Sequence, residues 1–172
     1  GNAGTASLGE NVPLAASDTP GLVAFAGRQS IDLVIIGPEV PLAAGLADAL
    51  RLAGIRTFGP SQAAAQIESS KAFAKAFMLR HGIPTGRYAA FTGYDQAAAH
   101  LAQVDYPVVI KASGLAAGKG VVLPDSLAEA RLALHSMLVA GEFGPASAEV
   151  LIEERLSGPE VSLLAFTDGR TV

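Results

Sequence analysis

Short apolar runs alternate with longer helical patterns in the first part of the chain. Residues 32–36 (DLVII) have the continuous apolar character of a buried parallel strand, and residues 55–58 indicate a second short strand. The segment between them, 42–53, has a helical pattern that ends before Gly54, a residue typical of helix C-caps. Another helix is predicted from residue 61 to about 67. Alternating strands and helices predict part of a doubly wound α/β sheet.

The pattern changes near residue 69. The predicted elements are then a helix at 69–81, a strand at 87–91, a helix at 94–104, a hairpin with arms at 107–110 and 121–123, a helix at 126–140, and strands at 150–152 and 161–166. This order predicts an α+β module with helices on one face of an antiparallel sheet. The strand at 161–166 has no partner after it, so we expect a segment of a longer protein.

The hairpin carries a glycine-rich loop between two lysines. Lys111 closes its first arm, Lys119 lies just before its second arm, and glycines occupy positions 114, 118 and 120. Glycine lets backbone N–H groups approach a ligand, and ammonium groups add positive charge, so the loop suits a polyphosphate. A P-loop is excluded, because it has four residues between its glycines and then Gly-Lys-Ser/Thr opening a helix. A flexible loop with solvated lysines remains the alternative.

Lysine is unevenly distributed. Of the 12 basic residues only four are lysines, and they fall in the hairpin (Lys111 and Lys119) and in the helix predicted at 69–81 (Lys71 and Lys75). A compact ammonium group suits point-charge contact with phosphate. Lys71 and Lys75 lie one turn apart, and two solvated helix lysines are the alternative interpretation.

Composition narrows the classes of function. The chain has 172 residues, no cysteine and a formal net charge of −4. Disulfide and cysteine chemistry are therefore excluded. The net negative charge gives no indication of the basic surface that nucleic-acid binding requires. No stretch of about 18 residues is apolar enough to indicate a membrane span. Small molecules are the expected partners, and the cytoplasm is the default location.

Glycine-rich turns in the first module are candidate substrate contacts. Residues 1–5 (GNAGT) have the small residues of an anion-binding loop, and residues 37–39 follow the strand at 32–36. In a doubly wound sheet, ligands lie beyond the carboxyl ends of the strands. The candidates are Asn2, Gly4, Thr5, Gly37, Pro38 and Glu39. For Glu39, helix capping is an equally good interpretation.

Five motifs in order resemble the ATP-grasp enzymes, and among them the glycinamide ribonucleotide synthetase family. They are GNAGTA at 1–6, GPEVPL at 37–42, residues 59–75, residues 107–122 with KASGLAAGKGVV, and VLIEERLSGPE at 150–160. The resemblance covers essentially the whole chain. It implies a partial pre-ATP-grasp domain at 1–68, a connecting helix at 69–84, the ATP-grasp small lobe at 85–156, and the start of the large lobe at 157–172.

The resemblance also implies roles by position. Lys71 and Lys111 match the two catalytic, ATP-phosphate lysines, and Glu160 matches the carboxylate that binds the ribose hydroxyls. The loop that folds over the phosphates corresponds to Gly114, Leu115, Ala116, Ala117, Gly118, Lys119 and Gly120. The adenine-facing hinge corresponds to Glu153, Glu154, Arg155 and Leu156. Pro159 departs from the family, which has an acidic residue there. Lys75, His81, His100 and His135 match no functional position and are expected to be structural.

The implied reaction joins glycine to 5-phosphoribosylamine with ATP hydrolysis, through an acyl phosphate. Asn2, Thr5 and the turn at 37–39 are then expected to hold phosphoribosylamine. Mg²⁺ is implied, with its ligands beyond residue 172 in a missing lobe of the same protein. Two alternatives remain: another ATP-grasp carboxylate–amine ligase or biotin-dependent carboxylase component, and a truncated, non-catalytic nucleotide-binding module.

Overall fold

A computed structural model describes residues 1–172 as two β-sheets with helices packed against them. The helices are α1 (Ala3–Ala6), α2 (Thr19–Arg28), α3 (Glu39–Ala43), α4 (Leu46–Leu52), α5 (Gln62–Ser69), α6 (Lys71–Arg80), α7 (Tyr94–Leu101), α8 (Leu127–Leu138) and a 3₁₀ turn at Gly144–Ser147. The strands are β1 (Val34–Ile35), β2 (Thr57–Phe58), β3 (Tyr88–Phe91), β4 (Val108–Ala112), β5 (Val121–Val122) and β6 (Val150–Glu154).

The first sheet consists of β1 and β2, which run parallel with Val34 opposite Thr57. Helix α4 and the chain before it form the crossover between the strands, as expected for parallel neighbours. The core beneath this sheet is formed by Ala26, Ile36, Leu42, Leu46, Ala47, Leu50 and Ala65. Ile35 lies on the other face and keeps 68% of its surface exposed. The strand predicted to be buried throughout is therefore buried on one face only.

The second sheet has the strand order β3-β6-β4-β5 and is antiparallel throughout. Ile110 pairs with Ile152 and Ala112 with Val150, and all four are fully buried. Helices α7 and α8 cover this face, and Leu134 and Met137 complete its core. Because side chains alternate along a strand, Lys111 and Glu153 lie on the opposite face, which α6 approaches. The predicted antiparallel module with helices on one face is confirmed.

Two predicted elements differ in the structure. The helix expected at 42–53 is divided into α3 and α4, because Gly45 adopts a left-handed conformation with φ of 85° and forms the N-cap of α4. Residues 161–166 form no strand, because no other segment of the chain pairs with them. Phe166 instead lies against Phe58, with ring centroids 5.8 Å apart. None of the helices combines the length and apolarity that a membrane span requires.

Candidate functional site

A cleft of about 450 Å³ opens on the face of the second sheet that α7 and α8 leave uncovered. Its polar lining includes Lys71 and Lys75 from α6, Lys111 from β4, Glu153 from β6, and Glu39 and Glu68 from the first module. Residues 115–118 of the glycine-rich loop form one wall, and Ile67, Ala74 and Met78 contribute apolar surface. The structure therefore brings both predicted phosphate lysines and the predicted loop to one cavity.

Lys71 occupies the first turn of α6 and is tied to the glycine-rich loop. Its backbone N–H donates to the carbonyl oxygen of Ser113 over 2.8 Å, and its Nζ donates to the carbonyl oxygen of Gly114 over 3.2 Å. Burial lowers the pKa of Lys71 below the ordinary lysine value; the Glu68 carboxylate opposes this shift and the Lys111 ammonium adds to it. A partly desolvated ammonium of this kind binds an anion more strongly than one in water.

Lys111 and Glu153 are diagonal neighbours across β4 and β6, since Lys111 pairs with Leu151, two residues before Glu153. Lys111 Nζ donates to Glu153 Oε2 over 2.8 Å. The same oxygen lies 2.9 Å from Lys75 Nζ. One nearly buried carboxylate thus joins two lysines, and Lys75, expected to be structural, belongs to the cleft wall.

The loop between β4 and β5 packs tightly at both ends. A Cβ on Gly114 would lie 2.7 Å from Ala146 Cα, and one on Gly120 would lie 2.8 Å from Ala116 Cβ. At the tip, Ala117 and Gly118 have positive φ angles of 48° and 77°. Lys119 is exposed and does not line the cleft. The loop is therefore tightly packed at its ends, whereas at its tip nothing lies within 4 Å of a Cβ placed on Gly118.

The predicted hinge lies only partly at the cleft. Glu153 faces into it, whereas Glu154 forms an ion pair with Arg87 over 3.2 Å. Arg155 turns to Asp125, with Nη1 3.3 Å from Oδ1. Leu156 and Glu160 are exposed, and residues 155–172 form neither helix nor strand. The structure therefore does not bring Glu154, Arg155, Leu156 or Glu160 to the lysines.

The amino-terminal substrate candidates separate into two groups. Asn2, Gly4 and Thr5 lie exposed in or beside α1, where Thr5 N donates to Asn2 Oδ1 over 3.0 Å. Gly37 and Glu39 line a second hollow of about 270 Å³. Pro38 is the N-cap residue of α3 and lines neither cavity.

This second hollow adjoins the lysine cleft. Glu39 and Glu68 line both cavities, so the turn after β1 reaches the same site as the glycine-rich loop. Sequence reasoning missed Glu68 and Lys75. Both lie on helices, and their spacing alone resembles that of a solvated face. Only the packing of α6 against β6, and of α5 against α6, distinguishes them.

The residues of this chain do not fit a magnesium site by themselves. No group of three or more histidine, cysteine, aspartate or glutamate side chains is placed to hold a metal ion. Glu153, the carboxylate closest to the lysines, already has ammonium partners at 2.8 and 2.9 Å. We therefore assign no metal ligand within residues 1–172.

Solved structures with this arrangement belong to the ATP-grasp class. Phosphoribosylamine–glycine ligase from Thermotoga maritima superimposes with a TM-score of 0.73 at 28% identity, covering 92% of this chain and 37% of that chain. A biotin carboxylase from Campylobacter jejuni shares the fold with a TM-score of 0.68 at 21% identity, covering 81% of this chain and 32% of that chain. The α/β fold and its glycine-rich hairpin therefore define a partial ATP-grasp protein, as predicted.

Sequence comparison identifies the family. The phosphoribosylglycinamide synthetase N domain matches residues 1–68, and the ATP-grasp (A) domain of the same family matches residues 69–172. Phosphoribosylamine–glycine ligase of Allochromatium vinosum is 58% identical over 100% of this chain and 41% of that protein. The ligase of Xylella fastidiosa (strain Temecula1) is 51% identical over 98% of this chain and 40% of that protein. The chain belongs to the phosphoribosylglycinamide synthetase family and spans about two fifths of these relatives, which confirms the resemblance.

Proposed function

We propose that the protein containing this chain is an ATP-dependent ligase that joins glycine to 5-phosphoribosylamine, giving glycinamide ribonucleotide, ADP and phosphate in purine biosynthesis. The observation that carries the proposal is the convergence of Lys71, Lys111 and the glycine-rich loop on one cleft. These groups come from three separate elements of the chain. Relatives that match the whole chain carry the name of this ligase.

The two lysines are the groups that neutralise the triphosphate. Lys111 Nζ has one protein partner, Glu153, and Lys71 Nζ has one, the Gly114 carbonyl, so both retain N–H groups for phosphate oxygens. In phosphoryl transfer the protein mainly positions the reactants and stabilises charge. The activation of glycine as glycyl phosphate, and the attack of phosphoribosylamine on it, are proposed to occur at this end of the cleft.

The glycine-rich loop is proposed to close over the phosphates. Its ends are packed against Ala146 and Ala112, whereas nothing lies within 4 Å of a Cβ placed on Gly118 at the tip. Closure brings backbone N–H groups and Lys119 towards the ligand and excludes water that would hydrolyse an acyl phosphate. Glu153 through Leu156, with Glu160, are proposed to contact adenine and ribose, which requires residues 154–160 to move from their positions in the structure.

The turn after β1 is proposed to hold the second substrate. Gly37 and Glu39 line the hollow that adjoins the lysine cleft, so phosphoribosylamine bound there has its amine near the acyl phosphate. Asn2, Gly4, Thr5 and Pro38 are proposed to contribute from the edge of this region. Mg²⁺ supplies further charge neutralisation in the proposed reaction, with ligands outside residues 1–172. The proposed location is the cytoplasm.

Calorimetric titration of the 172-residue chain with ATP tests the binding step. Lys111→Ala is expected to weaken ATP binding by about tenfold or more, because a charge-assisted phosphate contact is lost. Arg131→Ala is the matched control, since it removes a positive charge from the exposed surface of α8, outside the cleft. Equal affinity of the wild type and Lys111→Ala contradicts the proposed site.

A chimaera tests the reaction. The 172 residues replace the matching segment of the Allochromatium vinosum ligase, and glycinamide ribonucleotide formation is measured against a panel of amines and carboxylates. We expect turnover with glycine and phosphoribosylamine by the chimaera and none by the 172 residues alone. Activity on another pair identifies a different ATP-grasp ligase. ATP binding by a folded chimaera that turns over no pair supports a non-catalytic module.

A further inference from the structure

Lys75 is the most enclosed lysine of the cleft. Only 8% of its surface is exposed, and it lies on α6 one turn after Lys71. Its Nζ donates to Thr85 Oγ1 over 2.8 Å and to the Gly86 carbonyl over 3.3 Å, and lies 2.9 Å from Glu153 Oε2. An ammonium group has three N–H groups. Three protein oxygens therefore surround the Lys75 ammonium, two as hydrogen-bond acceptors and one as the partner in an ion pair.

Lys111 is placed differently around the same carboxylate. Its side chain is 28% exposed, against 10% for Lys75 and 6% for Glu153. Its Nζ has Glu153 Oε2 as its protein partner, at 2.8 Å. A single negative charge is thus shared by two ammonium groups, one sealed in the wall and one open to the cleft, and the set carries one net positive charge.

We propose that Lys75 is a positioning residue. Its ammonium neutralises the Glu153 carboxylate from the buried side of the cleft wall, so that the charge of Lys111 stays available for the triphosphate. This inference rests on the proposed function, because it concerns the phosphate end of the same cleft. Without Lys75, Glu153 and Lys111 form an ion pair of one carboxylate and one ammonium, which has no net charge. The carboxylate then repels the phosphates that Lys111 is placed to attract.

The role of Lys75 predicts a dependence on ligand charge. Metal-free ATP carries more negative charge than AMP and extends further towards the lysines. Losing one positive charge from the cleft wall therefore lowers the affinity for ATP more than the affinity for AMP. If Lys75 only supported the fold, its loss would lower the affinities for both nucleotides by the same factor.

The experiment measures the affinity of ATP and of AMP, in EDTA, for the chimaera in which these 172 residues replace the matching segment of the Allochromatium vinosum ligase; the wild type is this chimaera without further substitution. Lys75→Met removes the ammonium and keeps an apolar side chain of similar length. We expect this substitution to lower the affinity for ATP by about tenfold and the affinity for AMP by less than about threefold. Adding Glu153→Gln to Lys75→Met restores the net charge of the set to one positive. Because Glu153 is also proposed to contact adenine, which both nucleotides carry, the quantity compared is the ratio of ATP affinity to AMP affinity. This ratio is expected to return to within about threefold of the wild-type value.

Two results overturn the role of Lys75: an equal loss of affinity for ATP and AMP, or failure of the double variant to recover the ratio of ATP affinity to AMP affinity. If Lys75→Met does not fold, Glu153→Gln is compared with the double variant, since these two differ only at Lys75. A lower ratio of ATP affinity to AMP affinity in the double variant then supports the role, and equal ratios overturn it. If the wild type binds no ATP, both the proposed function and this inference fail. Normal wild-type binding without the charge pattern contradicts the inference alone.

Discussion

The ammonium group of Lys71 donates a hydrogen bond to the carbonyl oxygen of Gly114, 43 residues further along the chain, over 3.2 Å. The backbone joins the same two elements, since Lys71 N–H donates to the Ser113 carbonyl over 2.8 Å. The first turn of α6 and the start of the glycine-rich loop are therefore one unit. A ligand that moves the loop also acts on the helix that presents Lys71.

The lowered pKa of Lys71 predicts an alkaline limit to nucleotide binding. Burial is the main cause of the shift, so this lysine loses its proton at a lower pH than an ordinary lysine. ATP affinity should fall as pH rises through the lowered pKa, by about tenfold when the charge is fully lost. Calorimetric titration between neutral pH and pH 10 measures the fall. Lys71→Arg should remove it, because guanidinium stays charged in this range.

The lowered pKa of Lys71 affects folding stability in the opposite direction: stability rises with pH where ATP affinity falls. The folded chain disfavours the protonated form of Lys71, so in the interval between the lowered pKa and the ordinary value the unfolded chain binds more protons. The contribution of Lys71 to stability therefore rises with pH through that interval. A Lys71 that titrates like an exposed lysine by NMR contradicts both expectations.

The start of the glycine-rich loop should tolerate no side chain. A Cβ on Gly114 meets the backbone of Ala146 at 2.7 Å, and that backbone cannot rotate away as a side chain can. Gly114→Ala should lower the free energy of unfolding by about 1–3 kcal/mol through this overpacking. Gly27→Ala is the control, because nothing lies within 4 Å of its Cβ and it sits in α2. Gly27→Ala should raise the free energy of unfolding by about 0.5–1 kcal/mol. Urea unfolding measures both variants.

Local signals in the sequence were sufficient to predict the hairpin. Apolar arms around closely spaced glycines place β4 and β5 on either side of the loop. The confinement of lysine to two motifs indicated phosphate contacts, and the family resemblance implied that Lys71 and Lys111 belong to one site. The structure places both in the same cleft. Neither deduction required knowledge of which strands pair.

Features that depend on distant pairing were not accessible in this way. Glu153 contacts Lys75 and Lys111 because β6 lies between β3 and β4, an order that periodicity does not encode. The break at Gly45 also depends on context, since an isolated glycine in a helical pattern is often tolerated. The apolar run at 161–166 resembles a strand, yet a strand requires a hydrogen-bonding neighbour.

Two leucines on α8 test which face of that helix forms the core. Leu134 is fully buried against the sheet, whereas Leu132 keeps 70% of its surface exposed. Leu134→Ala should destabilise the chain by about 2–5 kcal/mol, since it removes apolar contacts and leaves a cavity. Leu132→Ala makes the same chemical change and should cost less than about 0.5 kcal/mol. Thermal or urea unfolding compares them, and similar losses would contradict the packing of α8.

Ser113 should couple stability to nucleotide affinity. Its side chain is nearly buried, and its Oγ accepts a hydrogen bond from the N–H of Ala72 over 3.1 Å at the start of α6. Ser113→Ala leaves that N–H without this partner and should cost about 1 kcal/mol of unfolding free energy. Because the same turn presents Lys71, the variant should also bind ATP more weakly.

Ser126→Ala separates the two effects. Ser126 Oγ accepts from Glu129 N–H over 3.2 Å and caps α8, which lies on the other face of the sheet and lines no part of the lysine cleft. The two substitutions remove the same kind of bond and should cost similar stability. Only Ser113→Ala should lower ATP affinity in calorimetric titration. Equal ATP affinities for the two variants would mean that the first turn of α6 does not position Lys71 for the phosphates, and that the loop contact at Gly114 alone sets its place.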